Sequence, residues 1–101
     1  MTSEEQAAIF QAWRSMLQEA QRHLGPKLPI RRIQVLATIA DEPNITFRNL
    51  CEDVGGKARS IDTDTTHLGA SGLGLIAVGR GHSLTAKGAE VIGRIAGQLN
   101  L

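Results

Sequence analysis

Apolar residues recur along the first part of the chain at spacings of three, four and one: Ile9, Phe10, Trp13, Met16, Leu17, Ala20 and Leu24. They form one helical stripe, and Arg14, Gln18, Glu19, Gln21 and Arg22 lie off it. Ser3 and Gln6 have the three-residue spacing of a capping box, and Gly25-Pro26 is a stop signal. The pattern predicts a first helix over about residues 3–24. Pro29 suits the first turn of a second helix, with Ile30, Ile33, Leu36, Ala37 and Ala40 on its buried face and Asp41-Glu42-Pro43-Asn44 breaking it.

Thr46 then caps a short third helix carrying Phe47, Leu50, Cys51 and Val54, which Gly55-Gly56 ends. Ser60 is expected to cap a fourth helix, with Ile61, Thr65 and Leu68 inward and Gly72 as its terminator. Leu73 to Val78 is an apolar run bracketed by glycines. With Gly79-Arg80-Gly81 as a tip and His82-Ser83-Leu84 as the return, it predicts a hairpin. Thr85 caps a fifth helix whose stripe is Ala89, Ile92, Ile95, Ala96 and Leu99. No repeat, low-complexity tract or linker divides the chain, which is read as a single domain over 1–101.

The predicted order is therefore helix, helix, short helix, turn, helix, hairpin, helix. The expected fold class is mainly α with a small β-hairpin wing. Two short helices joined by a glycine-containing turn are the helix-turn-helix unit, whose second helix can lie in a DNA major groove. A hairpin after that helix is a wing, and an arginine at its tip can reach phosphates or the minor groove.

Composition sharpens this only a little. With no tyrosine, two phenylalanines and one tryptophan among 101 residues, the core has to be aliphatic. A chain this short buries a modest share of its surface and gains from burying more in a partner. Net charge is +1, but residues 25–60 carry six bases (Lys27, Arg31, Arg32, Arg48, Lys57, Arg59) against four acids. That excess is a weak version of a nucleic-acid footprint. The single cysteine excludes an internal disulfide framework, and on the apolar face of the third helix it reads as a buried, inert thiol. The N-terminus has no basic region followed by an apolar run, and no apolar stretch reaches about 20 residues, so a cytoplasmic protein is expected.

Enzyme patterns fail on inspection, and the chain is read as a non-enzyme without a cofactor. Gly55-Gly56-Lys57 lacks the upstream glycine of a phosphate loop, and Gly69, Gly72 and Gly74 do not follow a strand. Asp62 and Asp64, two apart on a helix, point away from each other. Ser71 has no nucleophile-elbow context. His23, His67, His82 and Cys51 have no metal-ligand spacing.

The segment IRRIQVLATIADEPNITFRNLCEDVGGKARSIDTDTTHLGASGLGLI, followed by HSLTAKGAEVI, resembles the winged helix of MarR-type transcriptional regulators. The matching positions are Pro43, Thr46, Leu50, Val54, Ser60, Leu68, Gly72-Leu73 and Leu84-Thr85-Ala86-Lys87-Gly88. The chain departs from the family's pattern in being shorter and in carrying Val78-Gly79-Arg80 where an acidic-x-Arg signature is usual. The resemblance implies a DNA-binding homodimer, with dimerisation helices in 1–28 and 86–101 around a winged helix in 29–85. It also implies an effector site between dimer helices and DNA-binding lobe, for which no residue here stands out.

The apolar stripes support self-association independently, because two exposed stripes are too large a patch for a monomer. Ile9, Phe10, Trp13, Met16, Leu17, Ile92, Ile95 and Leu99 are the candidate interface. A twofold axis would set two recognition helices about 34–36 Å apart, matching a pseudo-palindromic operator. The candidate DNA contacts divide by role. Arg48, Lys57, Arg59 and Arg80 suit phosphates, whereas Ser60, Asp62, Thr63, Thr66 and His67 could face bases, with His82 beside the wing. Four phosphate contacts per subunit would give a log–log salt slope of about −7 for a dimer. Asp62 and Asp64 on the fourth helix would repel phosphates, although an aspartate can accept from a cytosine amino group. The leading expectation is a sequence-specific repressor of transcription. The alternatives are a winged helix that binds protein, which the two aspartates favour, and a partition or architectural protein that coats DNA.

Overall fold

The structure is a computed structural model that describes residues 1–99. It contains α1 (Ser3–Leu24), α2 (Ile30–Asp41), α3 (Phe47–Val54), α4 (Ala58–Leu68), β1 (Ile76–Val78), β2 (His82–Leu84) and α5 (Ala86–Ala96). The architecture is mainly helical with one two-stranded antiparallel hairpin.

The capping box of α1 lies one residue earlier than Ser3 and Gln6. Thr2 Oγ1 accepts from the Glu5 amide at 3.1 Å, and the Glu5 carboxylate reaches back to the Thr2 amide. Both pairs have the required spacing, but a carboxylate is a stronger acceptor than an amide and suits the positive end of the helix better. Only Glu19, Ala20 and Leu24 of α1 are buried; its N-terminal half is largely exposed and borders the end of α5, where Ala8, Gln11 and Ala12 line a groove with Gly97 and Gln98. Gly25, at φ 114°, takes a conformation that side chains avoid and ends the helix.

The buried face of α2 differs from the expected one. Val35, Leu36 and Ile39 are buried, whereas Ala37 is exposed and Ile30 is 72% exposed. Helix α2 has neighbours on two sides, α3 and α4 on one and α5 on another. Val35 and Ile39 join the core with Leu50, Ile61 and Leu68, while Ile33, Leu36, Ala37 and Ala40 line a cleft against α1 and α5. The sequence pattern caught the second face and missed the first. The core is aliphatic, built on Leu36, Ile39, Leu50, Ile61, Leu68, Leu75 and Ile76.

Thr46 caps α3 by accepting from the Asn49 amide at 3.2 Å, and Gly55 ends the helix in the left-handed region at φ 78°. Helix α4 starts earlier than Ser60. Lys57 is its N-cap, without a side-chain bond, and Ser60 donates its amide to the Lys57 carbonyl from inside the first turn. Hydroxyl chemistry pointed to Ser60. The close turn at Gly56, where a Cβ would meet Ile61, instead starts the helix at Ala58. It ends at Gly69 rather than Gly72. Gly72 lies so close to the His67 carbonyl that a Cβ would overlap it.

The hairpin pairs Ile76 with Leu84, Ala77 with Ser83 and Val78 with His82. Leu73 to Leu75, expected in the first strand, fall outside β1 because their backbone is used elsewhere: the Leu75 amide donates to the Leu68 carbonyl at 2.8 Å and its carbonyl accepts from the Thr85 amide at 3.0 Å. The hairpin is also tied to the segment before α3, where the His82 amide donates to the Ile45 carbonyl and the Asn44 amide to the His82 carbonyl. Thr85 caps α5 as expected, accepting from the Gly88 amide at 3.0 Å and donating to the Gly74 carbonyl at 2.7 Å. Gly88 and Val91 are the buried residues of α5. Ala89 and Ala96 of the expected stripe are exposed, and Ile92 and Ile95 are half-buried.

Candidate nucleic-acid interface

Helix α4 is two-faced. Ile61, Asp64, Thr65 and Leu68 are buried, and Arg59, Asp62, Thr63, Thr66 and His67 are exposed. Ser60 is half-buried at the boundary. The exposed set is what a helical period of 3.6 leaves once Ile61 and Leu68 are fixed in the core. The Thr63 hydroxyl donates to the Arg59 carbonyl at 3.1 Å, leaving its lone pairs free to accept.

A groove of about 520 Å³ separates α4 from the hairpin. Asp62, Thr65 and Thr66 line its helix side and Val78 of β1 its hairpin side, with Phe47 and His82 also contributing. Arg80 is exposed two residues beyond Val78, at the hairpin tip. Lys57 is exposed at the start of α4. Arg48 is exposed on α3, and its guanidinium pairs with Glu52 at 3.4 Å, so part of its charge is already met.

Two expectations about this surface require correction. His82 is buried rather than free for DNA. Its ring lies 6.1 Å from that of Phe47 and its Nδ1 is 3.4 Å from the Ile45 carbonyl oxygen. Its place opposite Val78 next to the Ile45 bridge turns the ring inward. Asp64 is fully buried rather than on the exposed face. It accepts from Arg31 Nε at 2.6 Å and from Arg32 Nε at 3.2 Å. The hydrogen bond from Arg31, and then the attraction of the carboxylate, raise the Arg31 pKa above its ordinary value.

Sequence reasoning missed this cluster because its partners lie 32 and 33 residues apart. One signal was present: Asp64 stands three residues after Ile61 and four before Leu68, on the inward face of the helix.

The candidate interface residues occupy one end of the molecule and one cleft. Phe10 is 67% and Trp13 58% exposed, with Ile9 beside them on the exposed N-terminal half of α1. Leu99 is exposed beyond α5, and Leu17 is half-buried. Met16, Ile92 and Ile95 line an apolar cleft of about 410 Å³ with Leu24 and Leu36. The exposed stripe of α1 runs directly into this cleft through Met16 and Ala20.

Cys51 is half-buried against the core rather than fully buried. Among the described residues, no helix is long and apolar enough to cross a membrane. No protein-family model, curated protein or solved structure matches the chain.

Proposed function

We propose that the chain is a winged helix-turn-helix regulator of the MarR type that binds duplex DNA as a homodimer and represses transcription by occupying a pseudo-palindromic operator. The carrying observation is the placement of a polar, exposed face of α4 across a groove from a hairpin with an arginine at its tip. A helix supported from behind by Ile61 and Leu68 can enter a major groove with Thr63, Thr66 and His67 toward base edges. Arg59, Lys57 and Arg80 then meet phosphates on either side. The burial of Asp64 removes one of the two acids that opposed this reading.

The exposed apolar residues of α1 supply the dimer contact, since a second copy related by a twofold axis presents the same patch to the first. The remaining exposed carboxylate, Asp62, favours the second reading, a winged helix that docks on protein. Fluorescence anisotropy with mixed-sequence duplex fragments at low and moderate salt separates the readings. The regulator reading expects binding that weakens steeply with salt and one preferred fragment. Absence of binding at low salt supports a protein partner, and saturation in clusters along a fragment supports a DNA-coating protein.

A further inference from the structure

We propose that Arg31, held by Asp64 at the α2 flank of α4, forms a phosphate-binding site with Arg32, gripping the DNA backbone beside the turn that joins α3 to α4. The proposal rests on the DNA-binding reading above and adds a contact that the exposed face of α4 does not supply.

Charge comes first. Two guanidiniums share one carboxylate, so the cluster keeps one net positive charge. Asp64 is saturated: Oδ2 accepts from Arg31 Nε at 2.6 Å, and Oδ1 from Arg32 Nε at 3.2 Å and Arg31 Nη2 at 3.5 Å. Among the described residues, Arg31 Nη1 and both Nη groups of Arg32 have no acceptor. The Arg31 side chain is 39% exposed and that of Arg32 15%, so Arg31 is the group that reaches solvent.

Position comes second. The Arg31 stem crosses the turn, because a Cβ on Gly56 would stand 3.5 Å from Arg31 Cδ. The next residue, Lys57, is exposed. Ser60 and His67 lie four residues before and three after Asp64, so they share its flank of the helix. The site therefore borders the candidate DNA surface. The opposite flank of α4, with Asp62, faces the hairpin groove.

Cost comes third. An ion pair with a fully buried carboxylate seldom stabilises more than well-packed apolar side chains do. Apolar side chains at all three positions would serve the core as well. What the carboxylate adds is a fixed guanidinium, whose planar fork matches a phosphate and whose ordering is complete before the ligand arrives.

The test is a salt titration of a labelled duplex against the full chain and the variants R31Q and R31K. A lysine keeps the charge and can still donate to Asp64, but its ammonium lacks the planar fork that meets a phosphate with two parallel bonds. R31Q removes one positive charge and is expected to flatten the log–log salt dependence by about 0.9 per subunit and to weaken binding about eightfold per lost contact at 0.1 M salt, whereas R31K keeps the charge and the slope and is expected to weaken binding by a smaller factor. The loss should be the same on preferred and mixed-sequence duplexes. Circular dichroism melts check folding, and R31K decides if R31Q fails to fold. A wild-type salt slope in folded R31Q, or wild-type affinity in R31K, overturns the phosphate role of the guanidinium and leaves the DNA reading standing. Failure of the wild-type chain to bind duplex at any salt overturns both.

Discussion

Gly88 in the first turn of α5 lies directly against the backbone carbonyl of Leu75, with no space for even a methyl group between them. The contact closes the joint between the loop after α4 and the last helix. Thr85 reinforces it by holding the Gly74 carbonyl and the Gly88 amide with one hydroxyl. Gly88→Ala must push a backbone segment out of the core. A loss of about 3 kcal/mol is expected, lowering the melting temperature by more than about 10 °C in a thermal scan. A melting temperature within about 3 °C of wild type would show that the joint relaxes freely.

Asp64→Ala leaves the half-buried Arg32 and the more exposed Arg31 without their partner. Breaking a pair with one fully buried member costs about 3–5 kcal/mol, and the solvent reached by Arg31 places this case at the lower end, about 3 kcal/mol in a urea titration. The pH behaviour follows from the Arg31 shift. A pKa raised in the folded state adds stability at every pH below the unfolded value, and the gain disappears only as pH rises through the folded value. Both lie far above neutrality, so the cost of Asp64→Ala should be equal at pH 7 and pH 9. A cost that shrinks between these values contradicts the assignment.

The exposed N-terminal half of α1 makes self-association measurable through Trp13, the single tryptophan. Its emission should move to shorter wavelength as protein concentration rises and the ring leaves water. Phe10→Glu, which places a charge on the same exposed face, should weaken association at least tenfold by analytical ultracentrifugation without unfolding the chain. A wild-type chain that sediments as a monomer at high concentration, with constant tryptophan emission, contradicts the dimer.

Thr63→Ala and Arg80→Ala address the two roles proposed for the DNA surface. Loss of a base contact by Thr63 should change sequence preference, costing about 1–3 kcal/mol on the preferred duplex and little on others. Loss of a backbone contact by Arg80 should weaken all duplexes alike and reduce the salt slope by about one. Identical effects of the two substitutions in an anisotropy competition would refute this division of labour.

Much of the fold was legible in the order of residues, because much of it is locally caused. Thr46, Gly55 and Thr85 act on amides and carbonyls a few residues away, so their positions mark the ends of α3 and the start of α5 in the sequence itself. The return strand His82–Leu84 was readable for the same reason, since the glycine-rich tip and the alternation around it lie within a few residues. The exposed set on α4 followed from its periodicity.

The errors occurred where distant groups compete. Ser60 lost the capping position to Lys57 because the packing of Ile61 against Gly56 set where α4 begins. His82 turned inward because β2 also meets Ile45, 37 residues away. Asp64 became an anchor because α2 brings two arginines to it from more than 30 residues away. Sequence alone determined the helices, the hairpin and the aliphatic core, since caps, turns and hydrophobic periodicity act over one or two turns of chain. Only the tertiary structure decided which face of α2 is buried and which charged groups are paired, because burial and ion pairing depend on neighbours that the folded chain, and not its linear order, brings together.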